Sequence, residues 1–176
     1  MDFGRRVRGL AWQLSCCYTM DMKDIAQEFQ FMDPGHLVDE ELELILVERL
    51  PGDPARAFVP AYVFDMRVDG QKVGGINLRI GNTDGIVTYG GHIGYVVEPE
   101  SRGHHYAERA CRLVFPLAKN HGLTILWITC NPDNIPSRRT CERLGATLVE
   151  IVDLPEDNNM YQRGEREKCR FRIDLD

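Results

Sequence analysis

The sequence predicts an α+β domain built on a mixed, mostly antiparallel sheet of about seven strands with helices on both faces. Two observations support this class. Strand-like segments separated by tight turns come first, and near residue 105 the hydrophobic period changes from about 2 to about 3.6 residues. A strand, helix, strand, helix unit then leads to two closing strands.

The chain begins with a leader and a short amphipathic helix, which we assign to residues 1–36. The helix is predicted over Asp21–Met32, where apolar residues recur at helical spacing until Asp33 and Pro34 end the segment. The arginine-rich start resembles an export signal, but its apolar run is short and no cleavage motif follows it. Residues 37–176 then form a single folded domain.

An antiparallel meander is predicted after the leader. LELILVERL (residues 42–50) has the composition of a strand, and a Pro- and Gly-rich connection follows it. AYVFDMRV and QKVGGINLRIG form a hairpin around Asp69-Gly70, a dipeptide that favours tight turns. NTDG (residues 82–85) marks the next turn, and GGHIGYVV is the fourth strand.

The second half of the chain alternates helices and strands. HYAERACRLVFPLAKNHG is a helix closed by Gly122, in which Pro116 is expected to produce a kink or an earlier end. LTILWITC reads as a buried strand, and IPSRRTCERLG is a second short helix that ends at Gly145. ATLVEIVDL and KCRFRIDL are the closing strands.

Composition argues against several classes of function. The net charge of -6 does not suit a nucleic-acid surface, which needs clustered Lys and Arg, and it mildly favours a cationic partner. No segment is apolar enough to span a membrane. The 6 cysteines lack a CxxC pair or a histidine at ligand spacing, so we expect free thiols, a cytoplasmic protein and no metal site. A monomer or a homodimer is expected.

The segment VVEPESRGHHYAERAC (residues 96–111) turns from the fourth strand into the first long helix. The first amides of a helix lack intrahelical partners, and the macrodipole adds positive charge, so such a corner can bind an anion. Arg102 can add a charge-assisted contact, and Gly103 lets the backbone approach closely. A turn glycine and a solvated arginine would also explain so short a motif. We therefore predict a phosphate site here and keep the structural alternative open.

Two motifs in this order resemble the GNAT superfamily of N-acetyltransferases. VxPxxRGxxxA lies at the strand-to-helix corner, and NxxSxxxCxxLGA follows the next strand. The family patterns are Arg/Gln-x-x-Gly-x-Gly/Ala and Asn-x-x-Ala/Ser-x-x-x-Tyr-x-x-x-Gly-Phe. The matching residues are Arg102, Gly103, His104, His105, Tyr106 and Ala107, then Asn134, Ser137, Cys141, Gly145 and Ala146. The resemblance covers about Glu41 to Asp176, and its second half is most similar to the branch of ribosomal-protein N-terminal acetyltransferases.

The resemblance implies a GNAT-like sheet in which the fourth and fifth strands splay apart around acetyl-coenzyme A. Backbone groups of Tyr95, Val96 and Val97 would contact the pantetheine and the thioester carbonyl. Amides of residues 102–107 would hold the pyrophosphate, and Asn134 and Ser137 would line the co-substrate from the second helix. No metal is implied.

Two residues depart from the family pattern in the cofactor half. His105 stands where glycine leaves room for the pyrophosphate, so its imidazole either contacts the phosphates or points outward into solvent. Cys141 stands where many relatives have the tyrosine that protonates the leaving thiolate. Its thiol can supply that proton, or it can be a small packed hydrophobe with the thiolate released directly.

The position where some relatives carry a glutamate base is Gly91. The neighbouring His92 is the candidate base, although strand alternation places its side chain on the opposite face unless a bulge intervenes. A structural histidine satisfied by hydrogen bonds is the alternative. Tyr89, Tyr95 and Glu98 are weaker candidates, and a water chain can replace a side-chain base.

The expected function is an acetyl-CoA-dependent N-acetyltransferase that moves an acetyl group directly to a primary amine. The short connection after the first strand suggests an open acceptor cleft for a small-molecule amine or a protein N-terminus. Asn77 or Arg79 faces that cleft, or both belong to a polar outer face. Arg138 and Arg139 reach the ribose phosphate or remain solvated. The alternative function is a non-catalytic acyl-CoA binding or sensing module of the same fold.

Overall fold

The computed structural model describes residues 29–175. This part of the chain contains eight strands and three α-helices, and all but β1 and the short α3 follow the predicted order. Their bounds are β1 Leu37–Asp39, β2 Leu42–Leu50, β3 Ala61–Val68, β4 Gln71–Arg79, β5 Ile93–Val97, α1 Tyr106–Asn120, β6 Ile125–Cys130, α2 Ile135–Arg143, β7 Thr147–Asp153, α3 Asn159–Gln162 and β8 Glu167–Asp174. The α+β class is confirmed.

The strands form two sheets, a five-stranded sheet in the order β1-β2-β3-β4-β5 and a three-stranded sheet in the order β6-β8-β7. Each ladder between these strands is antiparallel, which confirms the mostly antiparallel prediction. The structure differs from the predicted single mixed sheet in two respects. The three-residue β1 adds an eighth strand, and β5 and β6 belong to separate sheets.

The core lies between α1 and one side of the five-stranded sheet, and it continues onto β6 and β8. Alternate strand positions supply it, because successive side chains of a strand point to opposite faces. The sheet contributes Leu42, Leu44, Tyr62, Phe64, Ile76, Leu78 and Ile93, and the helix contributes Ala110, Val114 and Leu117. Burial of so many apolar side chains is the main source of stability.

The opposite side of the same sheet is more polar. The register pairs Val63 with Asn77 and Ala61 with Arg79, so these side chains share a face that points away from α1. Within residues 29–175 this face carries no long helix, which differs from the prediction of helices on both faces. The reason is local, because the connection between β2 and β3 contains only a single 3-10 turn at Pro54–Arg56.

Three sequence expectations for local structure need adjustment. The fourth strand begins at Ile93 rather than Gly90, because Ile86–Gly90 form a π-helical turn. Helix α1 continues past Pro116 to Asn120. The predicted helix Asp21–Met32 lies outside the described residues, apart from its last four positions, which are not helical.

The described cysteines are buried free thiols at Cys111, Cys130, Cys141 and Cys169. Cys16 and Cys17 lie outside the described residues. Among residues 29–175, no helix has the length and apolar character needed to cross a membrane.

Candidate active site

A cleft of about 830 Å³ lies where the five-stranded and three-stranded sheets meet. One wall comes from β5 and the loop into α1, and the other comes from β6 and α2. Its lining includes Tyr95, Val96, Val97, Arg102, Gly103, His105, Tyr106, Ala107, Asn134 and Ser137. The structure therefore brings together every residue predicted for the cofactor except His104.

Gly91 explains why β5 starts late and why no glutamate stands at this position. Its φ is 68°, a value that disfavours side chains, and a Cβ there would lie 2.9 Å from the carbonyl oxygen of Trp127 on β6. The next amide, that of His92, donates to the same oxygen at 2.6 Å. Close approach of two backbones thus requires glycine and excludes a side-chain base at residue 91.

The register of β5 leaves part of its backbone free on the cleft side. The bonds Arg79 N to His92 O (2.8 Å) and Glu98 N to Val73 O (2.9 Å) bracket the ladder between β4 and β5. Hydrogen-bonded and non-hydrogen-bonded pairs alternate in an antiparallel ladder. The backbone N–H and C=O groups of Gly94 and Val96 therefore face β4. The amides of Ile93, Tyr95 and Val97 then point to the other edge, which has no strand partner in the sheet.

The loop from β5 into α1 presents the start of the helix to the cleft. The first bond of α1 runs from the amide of Arg109 to the carbonyl of His105 at 3.1 Å, so the preceding amides have no intrahelical partner. Gly103 has a φ of 93°. The Nε of Arg102 donates to the carbonyl of Val97 at 3.3 Å, which folds this arginine against the end of β5.

The adjacent histidines have different surroundings. His105 is the residue before the helix, has φ 61° and ψ 17°, and makes no side-chain cap. Its side chain is half exposed, and its Nδ1 lies 3.8 Å from Oε2 of Glu108. His104 is exposed and stacks on Tyr106 with 5.3 Å between ring centroids, outside the residues that line the cleft.

Helix α2 lines the cleft with polar side chains. The Oδ1 of Asn134 accepts from the amide of Ser137 at 3.2 Å and caps the helix. The hydroxyl of Ser137 lies 2.9 Å from that of Tyr95 on β5, and burial raises the pKa of Tyr95 so that its phenol stays neutral.

Two arginines of α2, Arg139 and Arg143, also line the cleft. Arg138 does not line it and donates instead to the carbonyl of Pro132 at 3.2 Å. Sequence reasoning named Arg138 and Arg139 but missed Arg143. Its spacing of four residues from Arg139 is the signal that places both on one helix face.

His92 is fully buried and does not line the cleft. Its Nδ1 accepts from the amide of Trp127 at 2.9 Å, so the proton of the neutral ring is on Nε2, which donates to Oδ1 of Asn82 at 3.1 Å. Burial lowers its pKa to about 4. Both ring nitrogens are engaged, which is the arrangement of the structural-histidine alternative rather than of a general base.

Cys141 is also fully buried and absent from the cleft lining. Burial raises the pKa of its thiol to about 12. This environment matches the packed-hydrophobe alternative, because the sulfur belongs to the apolar core around α1. A hydrogen bond with Tyr95, which lines the cleft, partly opposes the effect of burial on the pKa of this thiol.

The other end of the cleft is lined by residues that sequence reasoning did not single out. They are Met160, Glu165 and Lys168 from the β7–β8 connection and the start of β8. The Nζ of Lys168 is 2.7 Å from Oδ1 of Asn131 and pairs with Glu165. The polar loop PEDNNMYQRGERE before a buried strand was the available signal. Among residues 29–175, no group of three or more His, Cys, Asp or Glu side chains is arranged to hold a metal ion.

Comparison with known proteins matches residues 21–147 to the family model described as an acetyltransferase (GNAT) domain. No curated protein sequence matches the chain significantly. A putative ribosomal-protein-serine acetyltransferase from Vibrio cholerae has a TM-score of 0.57 and 16% identity over 81% of this chain and 99% of its own.

Two further solved structures share the fold. An acetyltransferase from Salmonella typhimurium that modifies the N-terminal serine of ribosomal protein L7/L12 has a TM-score of 0.53 and 17% identity over 69% of this chain and 67% of its own. The microcin C7 self-immunity acetyltransferase, in complex with acetyl-CoA and AMP, has a TM-score of 0.52 and 19% identity over 65% of this chain. The match spans only 61% of the microcin enzyme's length.

Proposed function

The chain belongs to the GNAT acetyltransferase family, and on that premise we propose that it transfers an acetyl group from acetyl-coenzyme A directly to a primary amine. One observation carries the proposal. Unpaired amides at the start of α1 and on the free edge of β5 converge on a single cleft. A dianionic pyrophosphate and an acyl group both need such donors.

Different residues of the cleft would bind the phosphates and the pantetheine of the co-substrate. Residues 102–107 would bind the pyrophosphate, and Arg139 and Arg143 add positive charge from α2 for the remaining phosphate. The amides of Tyr95 and Val97 would receive the extended pantetheine like an added strand. Asn134 and Ser137 would line its other side.

Transfer would follow from alignment of the two substrates in this cleft. The amine nitrogen attacks the thioester carbon, the C–N bond forms, and the C–S bond breaks. A free amide of β5 stabilises the developing oxyanion. The proton lost by the amine leaves through water, because His92 has no free nitrogen. Proximity supplies much of the acceleration.

The departing sulfur would be stabilised by a hydrogen bond from the hydroxyl of Tyr95 rather than from Cys141. Tyr95 lines the cleft and keeps its proton, whereas the thiol of Cys141 is enclosed in the core. Ser137, 2.9 Å away, orients that hydroxyl from α2.

The acceptor is a small-molecule amine or a protein N-terminus. The Salmonella neighbour modifies the N-terminal serine of a ribosomal protein, so the acceptor of that enzyme is a peptide amine. The cleft here has an open approach, since the β2–β3 connection adds only one short turn.

Calorimetric titration with acetyl-CoA and a thiol-release assay over a panel of amines test the proposal together. We expect acetyl-CoA to bind and to raise the melting temperature, because a ligand that binds only the folded state stabilises it. We also expect thiol release with at least one primary amine. Arg102→Glu should weaken binding by about tenfold or more, and Arg163→Glu, in the loop after α3 and outside the cleft lining, is the matched control.

Three outcomes separate the possibilities. Binding with turnover supports the enzyme. Tight binding without turnover on any amine would support a non-catalytic acyl-CoA module, for which the burial of both His92 and Cys141 is the motivating observation. Absence of binding would reject both functions.

A further inference from the structure

Arg79, the last residue of β4, lines the cleft with a guanidinium group that has no carboxylate partner. Its Nη1 donates to the carbonyls of Gly90 and Gly91 at 2.8 and 2.9 Å. Within residues 29–175 its Nε and Nη2 form no hydrogen bond, and no carboxylate forms an ion pair with it. Burial lowers its pKa and nothing acidic opposes that effect. A half-buried cation without a counterion is costly unless a ligand supplies the anion.

The position of Arg79 places this cation on the acceptor side of the cleft. A Cβ on Gly94 would lie 3.3 Å from Nη2 of Arg79 and 3.2 Å from the amide atoms of Asn77. Gly94 is the second residue of β5, directly before the amide of Tyr95. Arg79 therefore lies across the strand from the amides that would bind the thioester, on the sheet face that points away from α1.

That face carries a second depression next to the cleft. The groove has a volume of about 420 Å³ and shares Gly94, Tyr95 and Val96 with the cleft. Asn77 also lines it, and the Oδ1 of Asn77 is buried without a hydrogen-bond partner. A ligand that enters along this face would pass Asn77 and reach the free donors of Arg79 in the cleft before it reaches the thioester.

The other charges near this end are already paired. Lys168 pairs with Glu165, and Asp65 pairs with Arg67 and Lys72 at 3.2 and 2.6 Å. Arg67 and Lys72 share the one carboxylate of Asp65, whereas Arg79 has no carboxylate partner in the described part of the chain. A guanidinium with free Nε and Nη2 matches the two oxygens of a carboxylate or phosphate in a bidentate contact.

We propose that Arg79 binds an anionic group of the acceptor, so that the acceptor is an amine that carries a carboxylate or a phosphate close to its nitrogen. This inference rests on the proposed function for the identity of the reacting amine. The anion-binding role of Arg79 does not depend on turnover. An acceptor with an anionic group also differs from the cationic acceptor that the net charge of the chain favoured.

The activity test uses matched pairs of amines, glycine with glycinamide and phosphoethanolamine with ethanolamine. The members of each pair differ in amine basicity, which affects both proteins alike. For each pair we therefore take the ratio of kcat/KM for the anionic amine to kcat/KM for its neutral partner. The informative quantity is the quotient of this ratio in the wild type and in Arg79→Met. We expect this quotient to be about tenfold or more, mainly through KM for the anionic member. The pair with the larger quotient distinguishes carboxylate from phosphate recognition.

A binding test removes the dependence on turnover. Protein saturated with CoA, which occupies the pyrophosphate site, is titrated with inorganic phosphate and with acetate by calorimetry. The wild type should bind one of them, and Arg79→Met should weaken that binding about tenfold or more. Arg79→Lys keeps the charge without the bidentate fork, so its affinity should be intermediate. Arg67→Met, on the neighbouring strand and paired with Asp65, is the control that should bind like the wild type.

The results separate a failure of this inference from a failure of the proposed function. Turnover with a quotient near one for both pairs overturns the inference while the acetyltransferase stands. Anion binding that depends on Arg79 without turnover supports the inference and rejects the proposed enzyme. If Arg79→Met does not fold because Gly90 and Gly91 lose their donor, equal anion affinity of Arg79→Lys and wild type overturns the bidentate contact.

Discussion

Four described residues other than glycine have a positive φ, and His105 is the one among them that lines the cleft. The left-handed conformation lets the chain turn from β5 into α1 within a short loop. The GNAT loop pattern has glycine at this position, so the sequence could indicate that His105 was unusual. It could not show the positive φ, because histidine is tolerated in several conformations. The ring itself is half exposed.

Replacement of His105 by glycine should stabilise the protein. A residue with a Cβ pays a steric cost at φ 61°, and glycine avoids it, with part of the gain offset by the more flexible unfolded chain. We expect the free energy of unfolding to rise by about 0.5–1 kcal/mol. Acetyl-CoA affinity should stay within about threefold, because the amides do the binding.

Urea denaturation and calorimetric titration measure both quantities. His104→Gly, one residue earlier and outside the cleft lining, is the matched control and should lose rather than gain stability. A fall in acetyl-CoA affinity of about tenfold for His105→Gly alone would show that the imidazole contacts the phosphates.

At the scale of elements, β5 and α2 hold the two walls of the cleft together through Tyr95 and Ser137. Periodicity and turn residues correctly predicted the seven longer strands and both longer helices, because residue spacing, β-branched runs and turn residues are local signals. The same patterns did not reveal the π-helical turn at Ile86–Gly90, since its formation depends on packing against β6. For the same reason they left His92 as a catalytic candidate.

Tyr95→Phe should slow the chemical step and leave acetyl-CoA binding nearly unchanged. The substitution removes the hydroxyl that we propose donates to the departing sulfur, and it keeps the ring that packs against the core. We expect kcat to fall about 10- to 100-fold with KM for acetyl-CoA little affected. Rapid-quench measurement of a single turnover isolates this step.

Cys141→Ala is the control for the same reaction. The thiol is buried, so its loss should reduce stability slightly and leave kcat within about threefold of the wild type. The reverse result, a slow Cys141→Ala and a normal Tyr95→Phe, would return the donor role to the cysteine.

At the scale of the whole molecule, the two sheets are joined where His92 meets Trp127. The backbone of His92 donates to Trp127 and the ring accepts from it, and nearby Thr129 donates to the carbonyl of Tyr89 at 2.7 Å. Sequence motifs predicted that a cleft would form between the fourth and fifth strands. They could not predict which side chains close its base, because those contacts join residues about 35 positions apart.

Acid should weaken this junction through the protonation of His92. The pKa is lowered to about 4 in the folded protein, while the unfolded chain has an ordinary value near 6.5. Between these values the unfolded chain binds more protons, so stability is fully present above pH 6.5 and falls as the pH drops toward 4. The loss should be on the order of 3 kcal/mol.

Chemical denaturation from pH 7 to pH 4 tests this, with His92→Gln for comparison. Glutamine can accept from Trp127 and donate to Asn82 without titrating. Carboxylates with a lowered pKa, such as Asp65, affect both proteins equally. The stability difference between them should therefore shrink with acid, and parallel curves would show that His92 does not control the pH dependence.

The lining of the cleft comes entirely from the stretch between Arg79 and Lys168. The described chain before Arg79 supplies β1 to β3, which support the cleft without lining it. The groove on the outer sheet face, in contrast, is lined mostly by residues of β2, β3 and β4 that precede Arg79. Variation in the early strands would therefore alter the choice of acceptor more than the binding of the co-substrate.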